Sequence, residues 1–479
     1  MSPQLDLSYG ARLDVQFLTS ELPLSPLISE SQDFSQFTNR LENNYQLNPR
    51  AEVHYKPSAD LSLRIGSGLF SGRLPYLWFA YIDYISGTDY FNIDIRPGGD
   101  QLPLTERLSD LTDLQPGITE INLLDPDFKY PRDWKSNIDI KWTPDHNWTF
   151  GFDFTFTDVV QGLLFQSINR SQVFDNLDGP DDRLFYAASG DEAKINDGFT
   201  NVFILSNTTG GFRYNATLTA ERALNNSRFY LGYSYGLSKD VSSTVRSSPA
   251  ANYEWNQAVF GNDPDLSFSN YDLRHKLNVS YATVIPIGST HLSASFLYNG
   301  RSGSPFSVVY QGDLNRDGSS RNDLVYVPRD ASEINLVDIT DAQGNAVTSQ
   351  EQWEALDAYI SSIGYLDSRR GEVVQRNAAK TPWNHSLDGS FSLAFNYTKQ
   401  KKATVRADVF NILNLINSTW GKQYFVPNVV NSSFSLLRFE GLDGNVPSFS
   451  FDVPLDQRPW LIDPINSRWR VQLGLELQF

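Results

Sequence analysis

The segment 312–318 carries oxygen-bearing side chains at a spacing that suits a hard metal ion. With Gly318 at the sixth position, it reproduces the first half of an EF-hand calcium loop, in which oxygen ligands converge on one cation. The twelfth position is Leu324, so the nearest later carboxylate is that of Asp323. We therefore weigh a Ca²⁺ site against an Asx-rich surface turn. The candidate ligands are Asp313, Asn315, Asp317 and Asp323.

The segment Gly232–Gly236 matches the G-x-S-x-G pattern of serine hydrolases, with Ser234 in the place of the nucleophile. That motif works at a sharp turn between a strand and a helix. Here an alternating strand pattern runs through the segment and places Ser234 on the polar face. We therefore predict no catalytic residue in this segment and no enzymatic activity for the chain.

The remaining candidates favour structural roles. The histidines show no spacing typical of metal ligands: His54, His146, His275, His291 and His385. Four charged residues near the carboxyl end are expected to form a solvated network on a polar strand face: Arg406, Asp408, Arg470 and Glu476. The aromatic segment Tyr76–Tyr84 is expected either to contact a substrate or a partner protein, or to fold against neighbouring loops.

Composition excludes several classes of protein. The net charge of −17 leaves no basic face for a nucleic acid, and the absence of cysteine excludes disulfides, thiol nucleophiles and thiolate metal sites. No run of 18 apolar residues predicts a transmembrane helix. Yet 13% of the residues are aromatic, which is high for a chain of this polarity and is typical of interfacial aromatic girdles.

The elements that position these residues are alternating segments, and the last of them, 469–479, shows the pattern without a break. All its odd-numbered residues, from Trp469 to Phe479, are apolar or aromatic. Its even-numbered residues are polar, apart from Gly474. Because side chains alternate along a strand, this segment has one apolar and one polar face. Its length suits a tilted strand crossing a bilayer, which needs roughly 9–11 residues.

About twelve segments repeat this pattern. They are 4–17, 44–55, 61–70, 134–142, 148–157, 200–222, 229–237, 273–285, 292–301, 387–397, 404–413 and 469–479. The sixth is expected to be interrupted near 208–211. The predicted fold is all-β, an antiparallel transmembrane β-barrel whose outer face contacts lipid.

Short and long connections alternate between these segments. The short turns are 56–60, 143–147, 224–227, 286–289 and 399–402, and the long connections are 18–43, 71–133, 158–199, 239–271, 302–384 and 414–467. Outer-membrane barrels have short periplasmic turns and long extracellular loops. One long connection is expected to contain a helix over 349–364, with Ser349 and Gln352 as a capping box.

Several segments resemble a known family. The run 406–414, continuing to 420–427, resembles the penultimate strand and following loop of TonB-dependent outer-membrane receptors. It is closest to the Oar-like group, which bears a carboxypeptidase-regulatory domain and is common in Bacteroidetes. The segments 271–278, 301–306 and 312–328 resemble further parts of the same barrel, and the resemblance covers most of residues 130–479.

The resemblance implies a 22-stranded barrel closed by an amino-terminal plug, which releases a substrate when TonB pulls on it. Residues 1–479 would then be the carboxy-terminal part of the barrel, without the signal peptide, the plug, the TonB box and about ten strands. Expected partners are outer-membrane lipid, those missing strands and plug, TonB through the plug, and the barrel-assembly machinery through the strand ending at Phe479.

Two other hypotheses remain open from the sequence. One is a complete twelve-strand porin or barrel enzyme of the outer membrane. The other is a soluble secreted carbohydrate-binding or hydrolytic β-protein, in which the apolar rows would be buried between stacked sheets. The sequence does not identify the substrate under any of these hypotheses.

Overall fold

A long antiparallel sheet dominates the computed structural model, which describes residues 4–17, 22, 24, 26–41, 45–84, 119–288, 290–341, 344–396, 402–427 and 432–478. Twelve strands follow one another through the sheet in chain order, each antiparallel to the next. They are β1 (Leu5–Val15), β2 (Tyr45–Tyr55), β3 (Leu61–Ser71), β4 (Arg132–Trp142), β5 (Trp148–Ser167), β6 (Gly211–Leu224), β7 (Ser227–Asp240), β8 (His275–Ile287), β9 (Thr290–Arg301), β10 (Asn384–Asn396), β11 (Lys402–Phe410) and β12 (Arg470–Gln478). The twelve predicted strands are confirmed.

The predicted break in the sixth segment is also confirmed. A separate strand, Phe199–Thr208, ends just before Gly211, where φ is +148° and β6 begins. This separate strand pairs with Thr119–Leu124 and with the far end of β5. β5 therefore runs to Ser167, ten residues beyond its predicted end at 157, because its outer half belongs to a second, smaller sheet layer.

Register places residues of one kind in rows across the sheet. One apolar row crosses six strands and comprises Phe229, Tyr281, Phe296, Gly389, Val409 and Val471. The next row on the opposite face comprises Arg228, Ala282, Ser295, Ser390, Asp408 and Gln472. Because a register slip of one residue would exchange the two faces, this pairing is specified by the two environments.

The apolar face has no second sheet covering it among the described residues. Leu218 in β6 is 57% exposed and Leu473 in β12 is 76% exposed. In a stacked sandwich such side chains would interdigitate with those of a facing sheet. The hypothesis of a soluble sandwich is therefore wrong, and the apolar face is suited to lipid.

Aromatic residues gather at both ends of the apolar face. At the rim with the short turns, the Trp148 ring stacks on Phe150 with centroids 5.4 Å apart, and Trp142 lies 5.6 Å from the same ring. At the opposite rim, Trp383 lies between the imidazoles of His275 and His385. Such belts mark the two boundaries of a bilayer in membrane barrels.

The long connections contain the remaining elements. The strands among them are Thr119–Leu124, Phe174–Asn176, Leu184–Tyr186, Phe199–Thr208, Ser267–Phe268, Pro305–Gln311, Tyr326–Val327, Ile339–Thr340, Ala346–Val347, Glu372–Val373, Ala379–Lys380, Tyr424–Phe425, Ser433–Asp443, Val446–Ser450 and Leu461–Ile462. The helical segments are Pro26–Ser29, Tyr76–Tyr84, Gly190–Ala193, Pro249–Glu254, Ala331–Glu333, Ser349–Ser362, Gly364–Asp367 and Ile412–Ile416. No helix among the described residues has both the length and the apolar character that a membrane-spanning helix needs.

The apolar cores of the molecule lie in the long connections. The buried residues of the largest cluster come from three connections and include Phe185, Phe306, Tyr359 and Phe449. Two further clusters surround Trp78 and Ile28. We call this folded assembly of long connections the loop layer. The predicted turn 399–402, the segment 85–118 and Phe479 lie partly or wholly outside the described residues.

The predicted helix in the loop layer is confirmed, but its cap is shifted by one residue. The helix is Ser349–Ser362, and the capping box consists of Thr348 and Glu351. The buried Gln352 instead donates from Nε2 to Val337 O at 2.7 Å and accepts from Phe451 N at 2.9 Å. Gln352 therefore connects the helix to two other segments of the loop layer, at Val337 and Phe451, and a local motif search cannot detect such contacts.

Candidate functional site

The polar face of the sheet holds the charged residues predicted near the carboxyl end. Arg406 Nε donates to Asp408 Oδ1 at 2.9 Å, and the Arg470 guanidinium lies 5.5 Å from the centre of the Phe410 ring. Glu476 stands opposite Thr404 in the register of β11 and β12. These residues lie on the polar face as predicted.

A cavity of about 340 Å³ lies where this polar face meets the loop layer. Three arginines line it, Arg301, Arg468 and Arg470, together with Asp388 and Asp463. Asp388 accepts from Asn411 N, and Asp463 accepts from the backbone of its own turn. Three guanidiniums against two carboxylates leave the lining of this cavity with an excess of positive charge.

The candidate calcium loop adopts consecutive Asx turns. Asp313 Oδ2 accepts from Gly318 N at 2.9 Å, and Asn315 Oδ1 accepts from Asp317 N at 2.9 Å. Asp317 Oδ1 accepts from Ser319 N at 2.8 Å. Gly318 takes φ of +94°, which a side chain rarely adopts, so the glycine permits the turn.

The loop is buried in the loop layer, so the expectation of a surface turn is wrong in this respect. Asp317 is 1% exposed, and Asn315, Asn322 and Asp323 have no exposed surface. Asp323 Oδ2 accepts from Leu314 N at 2.8 Å, and its Oδ1 lies 3.5 Å from Arg183 Nη1. Buried ionisable groups of this kind need paired charges or ligands.

Burial shifts the protonation of the three carboxylates in the same direction. Burial and then the charge of Asp317 raise the pKa of Asp313 to about 7. Burial raises the pKa of Asp317, and burial with the charge of Asp317 raises the pKa of Asp323 well above its usual range. Burial therefore opposes the charged form of each carboxylate, and a nearby positive charge would stabilise that form.

Two side-chain oxygens around Asp317 have no hydrogen-bond partner among the described residues. They are Oδ1 of Asp313 and Oδ1 of Asn322, whereas the Tyr253 hydroxyl lies against the Asp317 carboxylate. Asn322 Nδ2 donates to Asp317 Oδ2 at 2.7 Å, so this amide is held beside the carboxylate. Unpaired oxygens in a buried place are uncommon and require an explanation.

Three long connections meet at this loop. Tyr186 N, from the β5–β6 connection, donates to Asn315 O at 2.9 Å. Asn315 Nδ2 donates to Val259 O at 3.3 Å, and Ser319 Oγ donates to Glu254 O at 3.1 Å, both in the β7–β8 connection. The loop itself belongs to the β9–β10 connection, so it lies at a junction of the loop layer.

Among the described residues, no three His, Asp or Glu side chains form a preformed metal cage. The G-x-S-x-G serine lies inside β7, as predicted, with Ser234 Oγ 2.9 Å from Thr217 Oγ1. Sequence reasoning missed the contribution of Tyr253, Gly261 and Arg183 to the surroundings of the acidic loop. Their distance along the chain leaves no local signal that could have found them.

The histidines do not assemble around an ion in the described structure, but two of them join the aromatic belt. His275 Nδ1 lies 2.8 Å from the Tyr233 hydroxyl, and His385 Nδ1 lies 2.8 Å from the Tyr298 hydroxyl. Both imidazoles stack on Trp383. The sequence pattern separates these residues widely, so only strand pairing reveals the arrangement.

The aromatic segment Tyr76–Tyr84 forms a helix. Trp78, Phe79 and Ile82 are buried in a loop-layer cluster, and the Trp78 ring meets Phe165 edge-on with centroids 5.2 Å apart. Of the two expectations for this segment, folding against neighbouring loops is therefore confirmed for these side chains. Tyr76 remains largely exposed.

Comparison with known proteins agrees with this architecture. Residues 3–434 match the family described as outer membrane beta barrel domain. No curated protein sequence matches the chain.

Solved structures that resemble the chain include BauA, the ferric preacinetobactin receptor from Acinetobacter baumannii, at 10% identity and a TM-score of 0.34 over 81% of this chain and 34% of that chain. Another is the outer membrane transporter YddB from Escherichia coli, at 12% identity and a TM-score of 0.39 over 78% of this chain and 37% of that chain. The siderophore receptor PirA from Acinetobacter baumannii has 9% identity and a TM-score of 0.38 over 86% of this chain and 40% of that chain.

The chain spans about a third to two fifths of the length of these solved structures. The family match covers most of the residues, and the twelve antiparallel strands carry one continuous apolar face. The chain therefore belongs to the outer membrane beta barrel domain family and is an integral protein of the outer membrane.

Proposed function

We propose that the chain is the carboxy-terminal barrel part of a TonB-dependent, Oar-like uptake receptor and has no enzymatic role. Its substrate would be too large for passive diffusion through porins. The observation that carries this proposal is the sheet of twelve strands, β1 to β12, which we call the wall. Its polar face continues into the folded loop layer. A narrow passive pore has no need of so extensive a layer, whereas a receptor needs a surface that selects its substrate.

The two ends of the sheet support the proposal that further strands complete the wall. Within the described residues, β1 pairs only with β2, and β12 pairs only with β11. In a bilayer each unpaired backbone group costs several kcal/mol, so an open edge is not tolerated. We propose that about ten additional strands join β1 to β12, and that a plug fills the resulting lumen, since barrels of this width are plugged.

The proposed partners follow from this completed barrel. TonB would act through the plug, and the barrel-assembly machinery would engage the carboxy-terminal segment, whose last residue is Phe479. Outer-membrane lipid would contact the apolar rows. The polar face, with the arginine-lined cavity around Arg301 and Arg470, would face the plug and the substrate path.

The size of the native protein tests the first part of the proposal. An antibody raised against the exposed side of helix Ser349–Ser362 is used to probe outer-membrane fractions of the native cells. We expect a membrane-bound polypeptide clearly larger than 54.1 kDa. A mature protein of 54.1 kDa in the same fraction supports the complete twelve-strand barrel instead.

Energy dependence tests the second part. Spent growth media of the wild type, a strain without this gene and a strain without TonB are compared for compounds that the cells remove. We expect at least one compound that the wild type depletes and both mutants leave in the medium. If a compound is depleted by the strain without TonB but not by the strain without this gene, the proposal is contradicted. That result favours a passive channel.

A further inference from the structure

The acidic loop 313–323 has an unusual balance of charge for a buried place. Asp313, Asp317 and Asp323 come together there, and the Arg183 guanidinium that approaches Asp323 also pairs with Asp181 at 2.8 Å. Arg170 is a second guanidinium at the loop, beside Gly318 and Asp313. Two guanidiniums thus face four carboxylates, those of Asp181, Asp313, Asp317 and Asp323, so positive groups are in deficit if all four are ionised. A buried carboxylate without a counter-charge is costly, whereas a hard cation removes that cost.

The unpaired oxygens supply an observation that is independent of the acidic residues. Asn322 is completely buried, its Nδ2 is fixed on Asp317, and its Oδ1 has no hydrogen-bond partner in the described structure. Asp313 Oδ1 is also without a partner there. A bare amide oxygen held beside the Asp317 carboxylate is the kind of donor that a hard cation seeks.

We propose that this loop binds one Ca²⁺ through side-chain oxygens of Asp313, Asn315, Asp317 and Asn322. Asp323, the nearest later carboxylate in the sequence, already has a positive partner in Arg183, whereas Asp313 and Asp317 form no ion pair with any described residue. We assign Asp323 the role of positioning the loop, with Asn322 taking the place of the later ligand. The remaining coordination positions are open to backbone carbonyls and water, which calcium accepts readily.

The donor set favours calcium over other metals. All the proposed ligands are oxygen atoms, and neither imidazole nor thiolate is among them, so zinc and copper are disfavoured. Magnesium demands a near-ideal octahedron, whereas calcium tolerates six to eight irregular oxygen ligands. Mixed carboxylate and amide donors in a run of Asx turns fit the second description.

Calcium bound to this loop would stabilise the contacts between the connections of the loop layer. The ligands belong to the β9–β10 connection, while the hydrogen bonds from Tyr186 and to Val259 tie the same loop to two other connections. Ordering the loop therefore orders the contacts among all three connections. Calcium binding at the acidic loop does not depend on whether the barrel transports a substrate.

The test uses the full chain, purified in detergent and freed of metals with a chelator. Calcium chloride is titrated by calorimetry, and resistance of the loop layer to limited proteolysis is followed in parallel. We expect one Ca²⁺ per chain and slower cleavage of the loop layer on binding. Asp313→Asn and Asp317→Asn are expected to weaken binding by about tenfold or more.

Asp463→Asn is the matched control, because Asp463 also accepts backbone bonds in an Asx turn but lies in another turn with exposed surroundings. It is expected to bind Ca²⁺ as the wild type does. The partly exposed Asp313 is the milder change if Asp317→Asn fails to fold, and Asn322→Ala tests the amide oxygen with no change of charge.

Three outcomes overturn the proposal. One is the absence of calorimetric binding by folded wild-type chain at millimolar calcium. Another is calcium binding that Asp313→Asn, Asp317→Asn and Asn322→Ala all leave unchanged. The third is equal binding of magnesium in a matched titration, which would replace calcium with an unselective cation site.

Discussion

Arg183 and Asp181 form a buried ion pair in which Nε donates to Oδ2 over 2.8 Å. The Arg183 side chain has no exposed surface, and its guanidinium also lies above the Tyr310 ring at 5.3 Å from the centre. Through Asp323 the same guanidinium reaches the acidic loop of another connection. One side chain thus holds two connections of the loop layer together.

Removing this guanidinium is expected to loosen the loop layer. Arg183→Ala leaves buried carboxylates without their partner, which costs about 3–5 kcal/mol. The expected result is faster proteolysis and hydrogen exchange in the β5–β6 and β9–β10 connections, with the transmembrane strands unaffected. Arg228→Ala is the control, because both side chains of the Arg228–Glu221 pair are exposed and such a pair contributes about 0–1 kcal/mol. Equal effects of the two variants would contradict the prediction.

Gly261 is expected to tolerate no side chain. A Cβ at this position would overlap the Asp317 carboxylate and lie 2.8 Å from the Tyr253 hydroxyl, so Gly261→Ala must displace buried groups at a cost of about 1–3 kcal/mol. Gly364→Ala is the matched control, since nothing lies within 4 Å of its added carbon. Chemical denaturation followed by a probe in the loop layer distinguishes them. A neutral Gly261→Ala would show that this contact is not tight.

The amino-terminal cap of helix Ser349–Ser362 can be tested by mutation. The structure has Thr348 as the capping residue, whereas the sequence pattern favoured Ser349. Thr348→Ala removes the side chain that accepts from Glu351 N, and it is expected to cost about 1 kcal/mol. Ser349→Ala, at the position that the sequence pattern favours, is expected to be nearly neutral. Hydrogen exchange of the first helical turn measures both variants. The reverse order of effects would restore the sequence-based assignment.

The two faces of the wall are expected to respond differently to charge. Leu218→Arg places a guanidinium on the exposed apolar face of β6, which costs about 2–4 kcal/mol near the middle of a bilayer. Thr217→Arg, one residue away, places the same group on the polar face, where Thr217 contacts Ser234. Folding yield into lipid vesicles, read by heat-modifiable mobility in gels, should fall for the first variant only. Similar losses for both would argue against the assignment of faces.

Acid is expected to weaken the link between Asp272 and Lys380. Burial opposes the charge of Asp272, but the hydrogen bond from Lys380 Nζ at 2.8 Å and further donors outweigh it and lower the pKa of the carboxyl. Because the folded pKa lies below the unfolded value of about 3.9, this contribution is complete above that pH and is lost as the pH falls through the folded pKa. Acid unfolding of the wild type and of Asp272→Asn should therefore differ least at the lowest pH. A difference that grows on acidification would contradict this sign.

The sequence was sufficient to predict the wall but not the loop layer, for a physical reason. Each strand from Leu5 to Gln478 meets two unlike environments, so its pattern is local and visible at a period of two. The outer half of β5 has no such pattern, because Phe165 is buried by residues of other connections. The sequence also drew attention to the acidic loop, since its carboxylate and amide residues are neighbours in the chain. It could not reveal that Tyr253, Gly261 and Arg183 enclose that loop, because only tertiary folding brings them there.

β5 passes without interruption from the wall into the loop layer, with a register shift at the crossing, between Val159 and Gln161. Its lower half is clamped by β4 and β6, and its upper half by the separate strand Phe199–Thr208. The strand therefore couples the loop layer to the membrane-spanning sheet. A displacement of the loop layer would either bend the strand at the register shift or move its membrane-embedded half.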